Sequence, residues 1–341
     1  MAQPGFFDFE QRCDQLGSKR DPLVALDAAI DWQRFRPVLE RVRDKDRKNH
    51  SGRKPYDVVV MFKILILKSL YSLSHEQLEY QIRDRISFMR FLGLTLHDDV
   101  PDEKTIWLFE DTLTKRGLAK ALFERFDAFL NEQGFAARKG SLIDANLVEV
   151  PRQRNRREDN EQIKQGQRPA SFDENLAKGR QKDTDAPWTV KRKQTYFGYK
   201  NHINVDAKHK FIRRYEVTDA ATHDSQVFDP LLDENNTNKD VYADSAYRSE
   251  AISRSLRERG YRDRIHRRAY RNRPLSDRDQ QANRAKSRVR VRVEHVFGRQ
   301  TQFACHVGKT LMRGIGLAKA TALIGLTNLT YNLDRYRRLT A

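Results

Sequence analysis

Residues 141–150 read SLIDANLVEV, a short apolar run that carries one acidic residue, Asp144, near its middle. A run of this length and composition predicts a buried β-strand. A carboxylate inside such a strand costs on the order of several kcal/mol unless it is paired or holds a metal ion. We therefore take Asp144 as a candidate functional residue, with an acid on an edge strand as the alternative.

After this strand the sequence predicts two β-rich runs around a turn at 206–210, then a helix, a strand, a second helix and a last strand. These elements are placed at 196–220, 224–233, 240–247, 249–260 and 261–266. Strands that alternate with helices along the chain indicate an α/β fold.

The tract between the first and second predicted strands, 151–193, has a different composition. It is rich in charged and amide side chains and offers few apolar residues to bury. Burial of so little apolar surface does not offset the entropy of ordering the chain. We expect a flexible insertion without fixed structure.

The region before the first strand is predicted to be helical over 22–135, because apolar residues recur there at helical spacing. Ser74 with Gln77 three residues later indicates a helix start directly after the preceding helix. Two helices joined by a tight turn are compatible with a helix-turn-helix and equally with any helical bundle. Arg83 and Arg85 are the candidate DNA contacts in this region.

The charge of the chain points to a polyanionic partner. Its 341 residues include 65 Lys and Arg against 47 Asp and Glu, a formal net charge of +18. Residues 251–300 alone hold 16 Lys and Arg and 5 Asp and Glu. This balance favours nucleic acid over a membrane surface, and a basic protein without such a partner is the alternative.

Cysteine usage and apolar runs exclude other classes of protein. The only cysteines, Cys13 and Cys305, are far apart, which excludes a disulfide framework and a structural zinc site and indicates a reducing compartment. The most apolar stretch, 58–70, is short and contains Lys63 and Lys68. We expect neither a secretory signal nor a membrane span, and a cytoplasmic protein.

Two further acids stand out by their context. Asp244 ends a predicted strand, where α/β sheets place ligand residues and where an acid also serves as a helix cap. Glu294 lies in a segment whose alternation suits a strand, but a longer apolar stripe favours one helix over 285–300. On that helix Arg290 shares a face with Glu294, and a surface ion pair is the alternative role.

The three acids together favour a hard divalent cation. Asp144, Asp244 and Glu294 supply oxygen ligands, and the sequence has no His/Cys cluster of the kind that binds zinc. We expect Mg²⁺, with Mn²⁺ able to substitute. Should Glu294 not be a ligand, Glu149 and Asp240 are the next acids to test.

Several motifs in a fixed order resemble the IS-five family of bacterial insertion-sequence transposases. They are LIDANLVEVP, FGYKNHINVD, THDSQVF, VYADSAYRS and RVEHVFG, preceded by a helical block that also looks like the N-terminal region of that family. The resemblance covers most of the chain. It implies an RNase H-like core, a mixed sheet flanked by helices, whose catalytic Asp-Asp-Glu triad falls on Asp144, Asp244 and Glu294.

The resemblance also implies a Tyr, an Arg and a Lys around the glutamate. Arg290 is in place, while the Tyr and Lys positions hold Ser287 and Thr301, so Arg299 is a candidate substitute. Two metal ions between the carboxylates would support both hydrolysis and strand transfer at a phosphodiester. The expected partner is double-stranded DNA, bound at the element ends and at the target by a homodimer or larger assembly.

The resulting prediction is a DNA transposase, expected on the bacterial nucleoid. The expected division is a helical DNA-binding region (1–138), a catalytic domain (139–313) and a C-terminal helix (314–341) packed on the catalytic core. The alternatives are a DNA-binding protein that has lost catalysis and an RNase H-like nuclease without strand transfer. The candidate DNA contacts are Arg288, Arg290, Arg292, Arg299, Lys200, His202, Arg83 and Arg85.

Overall fold

A computed structural model describes the protein over residues 11–15, 21–43, 54–191, 193–271, 273–303 and 312–340. Cys305 lies outside these residues. The chain divides into two units, one formed by Met1–Phe126 with Leu326–Ala341 and the other by Asp127–Gly325. Both divisions fall inside helices, whereas the sequence places domain boundaries at 138/139 and 313/314.

The first unit is helical, as the sequence predicts. Its helices are α1 (Pro22–Ala29), α2 (Arg36–Leu39), α3 (Val58–Tyr71), α4 (His75–Asp84), α5 (Ile86–Leu92), α6 (Glu103–Lys115) and the start of α7 (Leu118–Glu132). Helix α3 ends at Ser72 in the left-handed conformation, and Ser74 and Gln77 form a reciprocal capping box that starts α4. The predicted pair of helices around a tight turn is therefore present, bent by 102°.

Aromatic side chains form much of the core of the helical unit. The ring of Trp32 lies 6.1 Å from that of Phe62 and 5.5 Å from that of Phe91. Among the described residues, no single helix is long and apolar enough to cross a membrane; the bent pair α3 and α4 passes that test only jointly, by length and composition. The apolar residues of α3 from Ile64 to Leu67 are buried inside this unit.

The second unit is built on a mixed sheet. Its strands are β1 (Ser141–Glu149), β2 (Trp188–Lys191), β3 (Gln194–Asp206), β4 (Ile212–Asp219), β5 (Asp240–Tyr242) and β6 (Arg262–Asp263). The order across the sheet is β2-β3-β1-β5-β6, and β4 also pairs with β3. Strand β1 is antiparallel to β3 and parallel to β5. This arrangement confirms the predicted α/β core with a mixed sheet.

Helices cover this sheet and complete its core. They are α11 (Glu250–Glu258), α12 (Asp277–Arg290), α13 (Arg292–Phe303) and α14 (Leu317–Thr340), after the short α8 (Arg157–Lys164), α9 (Ala170–Glu174) and α10 (Leu176–Gly179). Ile143 of β1 is buried in a cluster with Phe228, Tyr247 and Leu256. The helix predicted at 224–233 is two 3-10 turns, because Pro230 interrupts the hydrogen bonding.

The prediction of an unstructured segment at 151–193 is wrong. The segment contains α8, α9, α10 and β2, and Phe172 is buried. The Tyr199 hydroxyl donates to both oxygens of Asp183 at 2.9 Å, and Leu317 N donates to Asp185 Oδ2 at 2.8 Å, so the segment also caps α14. Amino-acid composition does not reveal such specific polar contacts, which is why it predicts a segment without structure here.

Both ends of the inserted segment are held at one place on β3. Val150 N donates to Phe197 O at 3.0 Å, and Gly198 N donates to Pro187 O at 3.3 Å. Gly198 has φ +149°, and a Cβ at this position would lie 2.2 Å from Val148 O. Only glycine allows the two strands to approach this closely here.

The C-terminal helix contributes residues to both units. Ala320 and Ile324 of α14 pack against Tyr199 in the second unit, whereas the residues from Leu326 onward belong to the helical unit. There the Tyr336 ring lies 6.1 Å from that of Phe126. The sequence pattern marks an apolar stripe on this helix but does not identify the core that the stripe joins.

Candidate active site

Asp144 lies near the middle of β1, paired across the sheet with Ile203 of β3. Its side chain is 15% exposed. Ala145 N donates to its Oδ1 at 2.9 Å, and Arg290 Nη1 donates to its Oδ2 at 2.7 Å. The acid predicted inside an apolar strand is therefore present and largely buried, with one cation beside it.

Asp244 follows the parallel neighbour of that strand. The register pairs Leu142 with Tyr242, so Asp144 and Asp244 each stand two residues beyond the last pair at the same edge of the sheet. The Asp244 side chain also accepts from Ala246 N at 2.8 Å and caps a 3-10 turn. The cap proposed from the sequence is therefore present, at a strand end of the kind where α/β sheets place ligand residues.

Glu294 lies on a helix, which confirms the helical interpretation of its segment. The predicted single helix over 285–300 is instead two helices, α12 and α13, separated by a turn at Val291. Val293, Val296 and Phe297 of α13 are buried, while the Glu294 side chain is 58% exposed. The buried stripe thus fixes the helix and leaves Glu294 accessible.

One guanidinium group connects two of the three acids. Arg290 Nη1 lies 2.7 Å from Asp144 Oδ2, and Arg290 Nη2 lies 3.9 Å from Glu294 Oε1. Its Nε is buried and has no hydrogen-bond partner among the described residues. Arg290 is therefore engaged with the acids in this structure rather than extended toward solvent.

The carboxylates are not fully compensated by this arginine. The pKa of Asp144 is raised to about 6, mainly by burial and to a smaller extent by the nearby Asp244 and Glu294 carboxylates, against the opposing effects of Arg290 and the Ala145 N–H. The raised pKa means that the positive charge near the Asp144 carboxyl group is too small to offset its burial and the two neighbouring acids. A divalent cation would supply it.

The donor set fits a hard divalent cation, because it consists of carboxylate oxygens. Within the described ranges, however, no group of three or more His, Cys, Asp or Glu side chains stands close enough to form a ready-made metal site. The three acids are thus near enough to influence one another electrostatically without forming a closed ligand cage.

Two of the predicted DNA contacts on β3 are turned to other partners. His202 is fully buried, its Nε2 lies 2.9 Å from Thr218 Oγ1, and burial lowers its pKa to about 4. Lys200 Nζ lies 2.8 Å from Asp224 Oδ1 and donates to Thr222 O at 2.7 Å. A neutral, buried imidazole cannot touch a phosphate, so His202 is removed from the DNA-contact set.

The arginines near Glu294 differ in their availability. Arg288 is exposed on α12. Arg292 Nη1 donates to Ala207 O at 2.7 Å, and the Arg299 guanidinium lies 4.7 Å from the Phe303 ring centre. Arg288 therefore presents its charge most openly.

In the helical unit both predicted arginines are exposed. Arg83 pairs with Glu79 at 3.3 Å, and the Arg85 guanidinium lies 5.1 Å from the Phe88 ring centre. Such surface contacts are weak and leave both charges available to another anion.

Asp224 is a residue near the site that the sequence analysis did not select. It pairs with Lys200, and its charge acts on both His202 and the buried hydroxyl of Tyr247. In the sequence Asp224 could be found only as the acid directly after His223. The His223 ring itself caps the following turn. Tyr247 itself is completely buried, as core packing predicts.

Comparison with known proteins identifies the family of this chain. Residues 11–112 match the family described as Transposase domain (DUF772). A cryo-EM structure of a piggyBac transposase synaptic complex with hairpin DNA is similar, with 13% identity, a TM-score of 0.44 and coverage of 93% of this chain and 75% of that one. Residues 136–333, more than half of the chain, match the family described as Transposase DDE domain. The chain therefore belongs to the DDE transposase family and is a DNA transposase.

Proposed function

We propose that this transposase binds the terminal inverted repeats of its element, cleaves the ends and joins them to target DNA. Asp144, Asp244 and Glu294 are its catalytic carboxylates. The observation that carries the proposal is Asp144 itself, a largely buried carboxylate in the middle of β1 whose Oδ2 accepts from Arg290, the same arginine that lies 3.9 Å from Glu294 Oε1. Assignment to the IS-five family in particular stays a prediction.

Membership of the DDE family implies dependence on divalent metal ions, and we propose two Mg²⁺ ions, replaceable by Mn²⁺. Bound ions of this kind activate the attacking water or 3′-hydroxyl and stabilise the leaving oxygen. Asp144 must be ionised to serve as a ligand, and Arg290 favours that state by lowering its pKa. The exposed Glu294 and the adjacent Asp244 supply the remaining carboxylates.

The proposed DNA contacts follow the exposed charge. In the catalytic unit they are centred on Arg288, with Arg290, Arg292, Arg299 and Lys200 as further candidates if their present partners are exchanged for phosphate. In the helical unit they are Arg83 and Arg85, at the C-terminal end of α4, the second helix of the pair around Ser74. The expected assembly is a dimer or larger on DNA, on the nucleoid in the bacterial cytoplasm.

The test measures cleavage of a duplex that carries the DNA flanking the gene, and joining of the same ends already cut. Asp144→Asn, Asp244→Asn and Glu294→Gln should each abolish both reactions in Mg²⁺ while DNA binding persists. Glu149→Gln, on β1 with Asp144, and Asp240→Asn, on the strand that precedes Asp244, are matched controls, and each should retain both reactions.

Three results would contradict the proposal. Normal cleavage by Asp144→Asn or Asp244→Asn would remove the triad. Joining by Glu294→Gln together with inactivity of a control would place the third ligand at Glu149 or Asp240. Cleavage by the unmodified chain without any joining would indicate a nuclease.

A further inference from the structure

Strand β2 and the first residues of β3 form a two-stranded arm on the catalytic unit. β2 pairs with β3 from Trp188 opposite Phe197 to Lys191 opposite Gln194. The pairing of β3 with β1 starts only at Gly198, and its pairing with β4 starts at Tyr199. Among the described strands, the arm therefore extends beyond the sheet as an antiparallel ribbon.

The arm carries positive charge and contains no acidic residue of its own. Residues 186–197 include three basic residues, Lys191, Arg192 and Lys193, and no Asp or Glu. Lys191 and Lys193 are exposed and make no ion pair within the described residues, in contrast to Lys200, which pairs with Asp224. The tip of the arm thus presents charge that the protein does not neutralise.

Exposed apolar side chains occupy one face of the same arm. Trp188 is 44% exposed and Val190 is 69% exposed, and their alternation places both on that face. The Trp188 ring packs against Phe197 at 5.0 Å, with the Arg152 guanidinium 5.7 Å from the indole. The base of the arm is therefore held in place by packing around Trp188, whereas the Val190 side chain farther along the arm is exposed to solvent.

We propose that this arm, 188–197, lies in the major groove of duplex DNA, with Lys191 and Lys193 on the phosphates that border the groove. The major groove accepts a two-stranded β-ribbon, and its thymine methyl groups suit an apolar side chain such as Val190. The inference rests on the proposed function, because it assumes that the DNA at this surface is the DNA being cut.

The strand geometry sets where the arm meets the duplex. Gln194, at the tip, lies nine residues along β3 from Ile203, the residue paired with Asp144. At about 3.3 Å per residue this separation is about 30 Å, which corresponds to about nine base pairs of B-form DNA. With β3 aligned along the duplex axis, the arm would contact DNA about nine base pairs from the bond that is cut.

The test compares two double variants of the full chain. Lys191→Ala/Lys193→Ala removes the charge of the arm, and Lys164→Ala/Lys178→Ala removes the same charge from exposed helical positions of the inserted segment. Fluorescence anisotropy measures binding of a labelled duplex of the DNA flanking the gene over a salt series. Each lost phosphate contact reduces the slope of log K against log salt by about 0.9.

The arm variant should reduce that slope by about 1.8, and the helix variant should leave it unchanged. Dimethyl sulfate protection of guanine N7, about nine base pairs from the cut, should be lost only in the arm variant. Lys191→Arg/Lys193→Arg should restore both signals. Equal slopes for the arm variant and the unmodified chain, or equal losses in the two double variants, would overturn the inference. An unmodified chain that binds no duplex would contradict the proposed function as well.

Discussion

Two acids on neighbouring strands of the same sheet differ in their surroundings. Asp206, at the end of β3, is fully buried; its Oδ1 accepts from His209 N at 2.7 Å and its Oδ2 from Phe211 N at 3.0 Å. Arg213 Nε lies 3.4 Å from the same Oδ2. Asp144 instead receives one N–H and one guanidinium and faces two further carboxylates.

The comparison shows that burial of an acid does not by itself indicate a catalytic site. Asp206 is more buried than Asp144, yet its donors come from the turn that follows it and hold that turn together. Asp144 shares its cation, Arg290, with Glu294. The proposed catalytic corner differs from the surroundings of Asp206 because two further carboxylates, Asp244 and Glu294, lie near the buried Asp144.

The largest expected effect separates the two acids by activity. Asp144→Asn should reduce end cleavage to the level of the reaction without enzyme, because a neutral amide binds Mg²⁺ poorly and the triad shares its ions. Asp206→Asn should retain cleavage per folded molecule. Assays on protein quantified by circular dichroism check both, and inactivity of the folded Asp206→Asn protein would break the comparison.

The next effect is a pH dependence of stability without metal. A native pKa of about 6 against 3.8 means that the folded state binds more protons between these values, so the Asp144 contribution to stability falls as pH rises through this window. The difference is about 3 kcal/mol at neutral pH. Urea unfolding in EDTA from pH 4 to 7 should show this loss in the unmodified chain relative to Asp144→Asn.

His202 has the opposite pH dependence and must be separated from that signal. Its pKa of about 4 lies below the ordinary 6.5, so its contribution to stability is complete above pH 6.5 and is lost as pH falls toward 4. The unmodified chain therefore shows partial cancellation, and Asp144→Asn alone should show a steeper loss on acidification. A parallel pair of profiles would contradict the raised pKa of Asp144.

The local structure around the three proposed catalytic acids could largely be predicted from the sequence, because its signals are local. The apolar run around Asp144, the strand end at Asp244 and the stripe beside Glu294 are short patterns, and so is the capping box at Ser74. The pairing of Arg290 with Asp144, 146 positions apart, is not a local pattern. The contact between Arg290 and Asp144 can be recognised only from the fold, which places α12 beside β1.

The inserted segment could not be predicted for a different reason. Its order depends on a few buried polar contacts, such as Asp183 with Tyr199, within a composition typical of disorder. Strand β2 was missed because it is four residues long and its residues pair with only one strand. Hydrophobic periodicity predicts neither the buried polar contacts of the segment nor a strand as short as β2.

A smaller effect should appear at the structural acid. Asp206→Asn should lower the free energy of unfolding by about 2–3 kcal/mol, because the amide offers one acceptor oxygen to the two backbone N–H groups that the carboxylate binds, and the ion pair with Arg213 is lost. Denaturant unfolding at pH 7 measures it. Asp219→Asn, at the end of β4, is the comparison for a partly buried acid whose Oδ1 accepts from both Ala221 N and Thr222 N. Equal losses would mean that burial adds nothing at Asp206.

The smallest effect concerns the shared arginine. Arg290→Ala should raise the pKa of Asp144 further, because the opposing charge is removed, and Arg290→Lys should restore part of the difference. The pH at which the unmodified chain and the variants diverge in unfolding experiments should move upward for Ala. A downward shift would mean that Arg290 does not stabilise the ionised carboxylate.

The shared anchor of the inserted segment has a consequence for how such a chain tolerates change in length. Because Val150 and Pro187 are both bonded to the Phe197–Gly198 peptide group, the residues between them leave and return at one point. Adding or deleting residues there would not shift the pairing of Asp144 with Ile203. The catalytic unit can therefore accept modular replacement at this site, with the strand register unaffected.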